Sequence, residues 1–339
     1  MKQYRVVQVG CGGMAHHWID MAGNTPDLEI VGLVDLNRQT AEECAKRHGL
    51  PASVVFDTLD QALSMAKPDI VFDVTVPAAH HEVTLAALKA GCHVFGEKPL
   101  ADSMERAKEM VAAAKASGKL YAVMQNRRYL PQMRGLRKAL DDRLIGDIST
   151  VNADFYLGAH FGGFRDAMDS PLVLDMAIHT FDQARFICGE DPIAVYCHEY
   201  NPKGSWYKGH ASAVCMFEMT NDVVFTYRGS WCAEGLNTSW ESEWRVQGSK
   251  GSSKWNGANE IIAEVVSAPD GFIYKHDRIT IQPLDTRLVG HDGCMDAMMT
   301  ALREGKEPET VCTDNIKSLA MVFGATESAK TKQRVEIGA

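Results

Sequence analysis

Two stretches of this sequence place reactive side chains at spacings that chemistry can use. Lys98 stands in Gly96-Glu97-Lys98-Pro99-Leu100, directly after the apolar run His93–Phe95, and Pro99 restricts the backbone around it. Asp175 and His179 are four residues apart in Leu174-Asp175-Met176-Ala177-Ile178-His179-Thr180-Phe181-Asp182. On a helix they share a face, one turn from each other. Leu174, Ile178 and Phe181 form the neighbouring apolar face. A lysine beside a histidine–carboxylate pair supplies what oxidation of an alcohol needs. One group takes the hydroxyl proton while hydride leaves the same carbon, and another stabilises the oxygen as its charge develops. Each group also has a plainer reading. A lysine in a polar turn is commonly a solvated one, and a buried His–Asp pair can simply brace a helix.

A glycine-rich turn points to the hydride's destination. The strand-like Tyr4–Val9 leads into Gly10-Cys11-Gly12-Gly13-Met14-Ala15, a G-x-G-x-x-[GA] pattern. Gly10 suits a tight turn, and Gly12 lets backbone approach a pyrophosphate. Gly13 and Met14 open the helix whose N-terminus faces the phosphates, and Ala15 lets that helix pack on the strand. Asp35 ends the next strand, where a carboxylate accepts ribose hydroxyls. That favours NAD, because a carboxylate repels a 2′-phosphate. Arg38 is the residue that could accept such a phosphate and admit NADP; its alternative is a solvated position at a helix start. Twin histidines at 16–17 and 80–81 lack the i, i+4 spacing of a helical zinc pair, and no third ligand is evident beside them, so no metal is expected.

The elements that must position these groups fall into two patterns. Tyr4–Val9, Leu28–Val34, Ile70–Val74, His93–Phe95 and Leu120–Met124 read as strands, with helices at Thr40–His48, His81–Ala90 and Ser103–Ser117 between them. Strand and helix alternating at this rhythm imply a parallel, doubly wound sheet over residues 1–125. Beyond it, Arg134–Leu144 and Pro171–Ile187 read as helices, the latter with Ser170 as N-cap and Pro171 at its first position. Asp147–Leu157 reads as a strand, and the chain from Ala194 to about Ile281 is strand-rich, including Val214–Met219, Val223–Gly229 and Glu243–Gln247. Helices near His291–Glu304 and Asn315–Lys330 close it. Residues 126–339 are therefore expected to form an α+β domain on a large, open, mostly antiparallel sheet, with a ligand cleft between the two domains.

Composition narrows the class. The chain has 339 residues and a formal charge of −9, with 45% hydrophobic and 23% charged residues. Two globular domains fit that length. An acidic surface argues against nucleic acid or an anionic membrane as the main partner. No apolar run reaches the about 20 residues of a membrane span. The opening residues show no leader, and nine cysteines without a C-x-x-C pair suit reduced thiols. The expectation is a soluble cytoplasmic protein.

The glycine motif, the Asp35 strand end, Thr75-Val76-Pro77 with His80, Glu97-Lys98-Pro99 and the Asp175…His179 helix follow one another in the order of the Gfo/Idh/MocA oxidoreductases, which the chain resembles over essentially its whole length. The resemblance implies a Rossmann domain, a C-terminal α+β domain, and NAD(P)-dependent oxidation or reduction of a sugar, sugar acid or polyol. By carry-over, Lys98 and His179 are the catalytic lysine and acid/base histidine, and Asp175 binds a substrate hydroxyl. Thr75, Pro77, His80, Glu97, Asn126 and Arg165 line the cofactor. One departure stands out: many members carry a glycine-rich turn just before the Asp-x-x-x-His helix, where this chain has Asp169-Ser170-Pro171-Leu172-Val173. The pocket wall is therefore this chain's own. Tyr156, His160, Trp206, Trp231 and Trp240 either stack on a sugar ring or serve as core aromatics. An exposed sheet face would favour a homodimer or homotetramer. Two further readings stand beside the dehydrogenase: a glycoside hydrolase or lyase that oxidises its sugar transiently, and a non-catalytic NAD-binding sensor.

Overall fold

The computed structural model describes residues 2–338. Its first part alternates β1 (Tyr4–Val9), α1 (Gly13–Gly23), β2 (Leu28–Val34), α2 (Arg38–Arg47), β3 (Val55–Phe56), α3 (Leu59–Ala66), β4 (Ile70–Asp73), α4 (Pro77–Lys89), β5 (His93–Gly96), α5 (Met104–Ser117) and β6 (Tyr121–Val123). The six strands form one sheet in the order β3-β2-β1-β4-β5-β6, and every pair in it is parallel. Strands covered on both faces must be apolar throughout. Val6, Val7, Ile70, Val71, Phe72, Val94 and Phe95 are accordingly fully buried. Helix boundaries follow capping chemistry. The Thr58 hydroxyl accepts from Gln61 N before α3, Ser103 does the same for Arg106 N before α5, and Gly118 closes α5 in the left-handed region. The strand order reverses between β1 and β4, which is where a doubly wound sheet takes its ligand.

The second part continues with α6 (Pro131–Asp141), β7 (Ile148–Tyr156), α7 (Ala177–Cys188), β8 (Pro192–Tyr200), β9 (Ser212–Met219), β10 (Val224–Ser230), β11 (Glu243–Gly248), β12 (Gly251–Trp255), β13 (Ile261–Ala268) and β14 (Lys275–Thr280). The chain closes on α8 (Gly290–Glu304), α9 (Cys312–Thr331) and β15 (Val335–Glu336). Nine strands make one sheet in the order β14-β13-β12-β11-β7-β10-β9-β8-β15. It is antiparallel except where β7 and β10 run parallel. Phe181 of α7 packs edge-on against Phe217 of β9 and Tyr227 of β10, with ring centroids 4.8 and 5.3 Å apart. The opposite face exposes Tyr196, Val214 and Met216.

Two expectations need correction. Contacts divide the chain into two units, residues 2–125 with 291–316 and residues 126–290 with 317–338. The segment 291–316 therefore leaves the continuous C-terminal domain expected from the sequence. Its hold on the first unit is specific: Val123 N donates to Thr310 O at 3.0 Å, and Arg303 grips Asp27 with both arms of its guanidinium. The expected helix Pro171–Ile187 is helical from Pro171 on, but its second to sixth residues are not α-helical. Leu172–Met176 form a π-turn ahead of α7. Ser170 does not cap it; its hydroxyl donates instead to buried Glu199 at 3.1 Å.

Candidate active site

In the first unit the glycine turn fills the gap at the β1/β4 reversal. Gly10 has φ +89°, and a Cβ there would lie 2.4 Å from Val74 O, so no other residue fits without moving β4's exit. A Cβ at Gly12 or Gly13 would meet nothing within 4 Å. Gly12 precedes α1 with no side-chain cap, and the first turn of α1 holds no acidic residue. The first N–H groups of α1 and their partial positive charge are thus presented to open space, as a pyrophosphate requires. Asp35, at the end of β2, braces the turn: its Oδ2 accepts from Cys11 N at 2.8 Å and its Oδ1 from Asn37 N at 2.9 Å. Each oxygen retains a lone pair for a ribose hydroxyl. The donor set fits a dinucleotide. Arg38, by contrast, is held by Glu42 at 2.8 Å and by Asp57, two carboxylates that compete with any 2′-phosphate. Met14 is exposed at the opening of α1.

The β4–α4 junction is a tight polar knot. Asp73 Oδ1 accepts from Thr75 Oγ1 at 2.6 Å and lies 3.0 Å from His80 Nδ1. His80 is only 1% exposed, so it acts on this turn from beneath and not as a surface a ligand touches. Pro77 opens α4 at its first turn, where a missing N–H costs nothing. Asp73 escaped the sequence reading. Its signal was a lone carboxylate ending the apolar run Ile70-Val71-Phe72. At the end of β5, Glu97 Oε1 accepts from Trp18 Nε1 at 2.8 Å and Glu97 Oε2 from Lys98 N at 3.2 Å. The glutamate anchors the loop that carries Lys98, which is half-buried.

In the second unit, Asp175 sits within the π-turn and His179 in the first turn of α7, both half-buried. Asp175 Oδ2 accepts from Arg165 Nε at 2.6 Å, so the structure joins two residues that the sequence assigned to different ligands. The Arg165 guanidinium also lies 5.1 Å from the Phe161 ring and 4.7 Å from that of Phe164. Those two rings and Trp240 are 47%, 66% and 45% exposed. Trp231 is buried and belongs to the core. Trp206 is stacked on His160, with centroids 3.7 Å apart. Tyr156 ends β7 half-buried, and burial pushes its phenol above the ordinary value. Asn126 opens a short 3-10 turn, Asn126–Tyr129. There Arg128 clasps Asp182 of α7 at 2.7 and 2.6 Å, and Ser318 donates to the same carboxylate at 2.7 Å. This buried clasp fixes the helix that carries His179.

Among the described residues neither histidine pair gains a third ligand as a pair, but His16 without His17 meets two side chains at the end of α2. His16, Cys44 and His48 converge in the first unit. No helix among the described residues is long and apolar enough to cross a membrane, and all nine cysteines are free.

Comparisons with known proteins agree with this architecture. Residues 4–125 match the model of the oxidoreductase family with an NAD-binding Rossmann fold, and residues 133–254 match the C-terminal domain of the same family. The chain is 25% identical to 1,5-anhydro-D-fructose reductase of Ensifer adhaerens, over 97% of each chain. It is 24% identical to inositol 2-dehydrogenase of Rhizobium meliloti, over 94% of each. Among solved structures, an oxidoreductase from Agrobacterium radiobacter in complex with NAD+, L-tartaric acid and magnesium superimposes with a TM-score of 0.86. Its identity is 20%, and 99% of both chains is covered. With family models matching both parts of its length, the chain belongs to the Gfo/Idh/MocA oxidoreductases.

Proposed function

We propose that the protein is an NAD-dependent dehydrogenase acting on a secondary hydroxyl of a sugar, sugar acid or polyol. The observation that carries the substrate class is the cluster of exposed rings, Phe161, Phe164 and Trp240, around the Arg165–Asp175 pair. Aromatic faces take the C–H face of a ring, and a neighbouring carboxylate accepts its hydroxyls. The names of the two curated relatives support the same class. NAD is favoured over NADP because Asp35 offers lone pairs where Arg38 is already paired with carboxylates. The exposed outer face of the nine-stranded sheet supports a homo-oligomer, and the free thiols support a reducing, cytoplasmic setting.

Bound nicotinamide supplies the hydride acceptor. His179 takes the hydroxyl proton as the carbon–hydrogen bond breaks. Lys98 hydrogen-bonds the oxygen as it becomes a carbonyl, so that charge developing there meets a fixed donor. Asp175, oriented by Arg165, holds a neighbouring hydroxyl. In this reading Thr75 and Pro77 shape the turn beside the cofactor with His80 beneath them, Glu97 holds the Lys98 loop, Asn126 serves the cofactor and Tyr156 the substrate.

The test follows absorbance of reduced nicotinamide across a panel of inositols, hexoses, sugar acids and glycosides with both cofactors. A substrate giving stoichiometric NADH is expected, with Lys98→Met lowering kcat about 100-fold or more and His179→Asn about 10²–10⁴-fold, the latter with loss of the acid limb. Glycoside cleavage without net NADH would replace the dehydrogenase by the redox-recycling hydrolase. Cofactor binding without turnover on any of the panel would favour the sensor.

A further inference from the structure

A compact set of ligating atoms lies outside the groups used above. His16 is on the first turns of α1. Cys44 and His48 stand four residues apart at the C-terminal end of α2, so one helix face presents both. His16 Nδ1 is 2.9 Å from His48 Nε2 and 3.9 Å from Cys44 Sγ, and the three ligand atoms all lie within 4.8 Å of one another. A tetrahedral zinc ion, with nitrogens at about 2.0–2.1 Å and sulfur at about 2.3 Å, spaces its ligand atoms about 3.3–3.6 Å apart. The two distances from His16 bracket that spacing, and the third pair, Cys44 Sγ and His48 Nε2, lies within 4.8 Å, so side-chain movements of about 1 Å or less bring all three to it.

The surroundings add a second, independent feature. Asp20 Oδ1 lies 3.2 Å from His48 Nδ1. A carboxylate accepting the far N–H of an imidazole fixes its tautomer and ring orientation, the usual outer support of a zinc-bound histidine. It leaves the His48 Nε2 lone pair facing the cluster. Cys44 is 2% exposed and the His48 side chain 11%, so the ligands sit in a largely water-excluded recess with His16 at its half-buried rim.

We propose that His16 Nδ1, Cys44 Sγ and His48 Nε2 form a three-ligand site for Zn2+, with water in the fourth position. Imidazole with thiolate selects zinc over magnesium or calcium, which take oxygen ligands. On binding, Cys44 gives its thiol proton to solvent and forms the Zn–S bond. The hydrogen bond from His16 Nδ1 to His48 Nε2 breaks, and the His16 ring proton moves to its Nε2. Both nitrogens then coordinate, and the hydrated ion sheds the waters they replace. The ion clamps α1 to the end of α2; Ile19 of α1 and Cys44 of α2 share one buried cluster with Cys11 of the glycine turn.

The test uses tag-free, chelator-treated full-length protein titrated with Co2+ and then Zn2+. One equivalent of Co2+ should give thiolate-to-cobalt charge-transfer absorption and the intense visible bands of tetrahedral cobalt, and Zn2+ should abolish both. Zn2+ should also raise the melting temperature. Cys44→Ser should lose the charge-transfer band, and His48→Gln should weaken zinc more than about 100-fold. Asp20→Asn, which only orients His48, should weaken it about 10-fold. His16→Gln, at the half-buried rim, serves if buried Cys44→Ser fails to fold, and it should lose the tetrahedral bands. A weak octahedral cobalt spectrum, or zinc affinity unchanged in His16→Gln, overturns the site.

Discussion

Replacing Asp35 with alanine separates two roles that the structure assigns to one carboxylate. Its Oδ2 holds Cys11 N at 2.8 Å and its Oδ1 holds Asn37 N at 2.9 Å, so the side chain stitches the glycine turn to the end of β2. The ribose reading adds hydroxyl contacts on the remaining lone pairs. A hydrogen bond to a charged acceptor contributes about 1.5–3 kcal/mol, at the lower end for a half-exposed group such as this. Loss of one or two ribose contacts should therefore raise the NAD Kd about 10- to 100-fold, since about 1.4 kcal/mol is a factor of ten. Titration calorimetry with NAD and NADP in parallel measures it. If Asp35 touches ribose, NAD weakens while NADP holds or improves, because the carboxylate no longer repels a 2′-phosphate. If Asp35 only braces the turn, both cofactors weaken by the same factor. An unchanged NAD Kd would refute both roles.

Gly10→Ala should introduce about 1–3 kcal/mol of backbone strain and drive Val74 O away from a Cβ only 2.4 Å distant. A lowered melting temperature with lost NAD binding is expected, and retention of both would show that the turn tolerates a side chain. Burial pushes the Glu199 carboxyl from 4.5 up to about 7, against the hydrogen bond from Ser170. The folded state therefore favours the protonated form: its stability is undiminished below the unfolded value and falls as pH rises from 4.5 to about 7, by about 3 kcal/mol at most. Glu199→Gln should match the native chain in urea unfolding at pH 4 and exceed it at pH 8; equal stabilities at pH 8 would contradict the burial argument. Arg165→Met removes the group that orients Asp175. It should raise KM about 10-fold or more, while the loss of this partly exposed pair costs stability about 1 kcal/mol or less. A KM within error of the native value would remove the pair from substrate binding.

The first unit was legible in sequence because its strands are buried on both faces and each ends on a residue with one conformational use. The runs at Tyr4–Val9 and Leu28–Val34 carry the residue limits of β1 and β2. β3 was not seen, because two residues carry no period. α3 was overlooked although Thr58 caps it. In the second unit β14 is exposed along nearly its whole length, Lys275 to Arg278 included, so no apolar alternation marks it. The place of 291–316 was illegible for another reason. It depends on Thr310 meeting Val123 and Arg303 meeting Asp27, contacts that no local pattern encodes.

The catalytic helix shows where periodicity fails as a guide to a site. Reading Asp175 and His179 as one turn apart assumes 3.6 residues per turn, and Pro171 at the start encourages it. A π-turn at Leu172–Met176 changes the angular step between the two residues. Ser170 gives its hydroxyl to Glu199, 29 residues away, so the helix start has lost its natural cap. Arg165, from the loop before it, then takes Asp175. The same limit applies in the first unit. Cys44 and His48 do show the i, i+4 spacing of a helical ligand pair, but twin histidines draw the eye to neighbours in sequence, and His16 completes the set only because α1 packs beside α2. Spacing along one helix identifies which side chains share a face. Whether that face becomes a site depends on what a second element brings to it: Arg165 for Asp175, and His16 for the cysteine and histidine of α2.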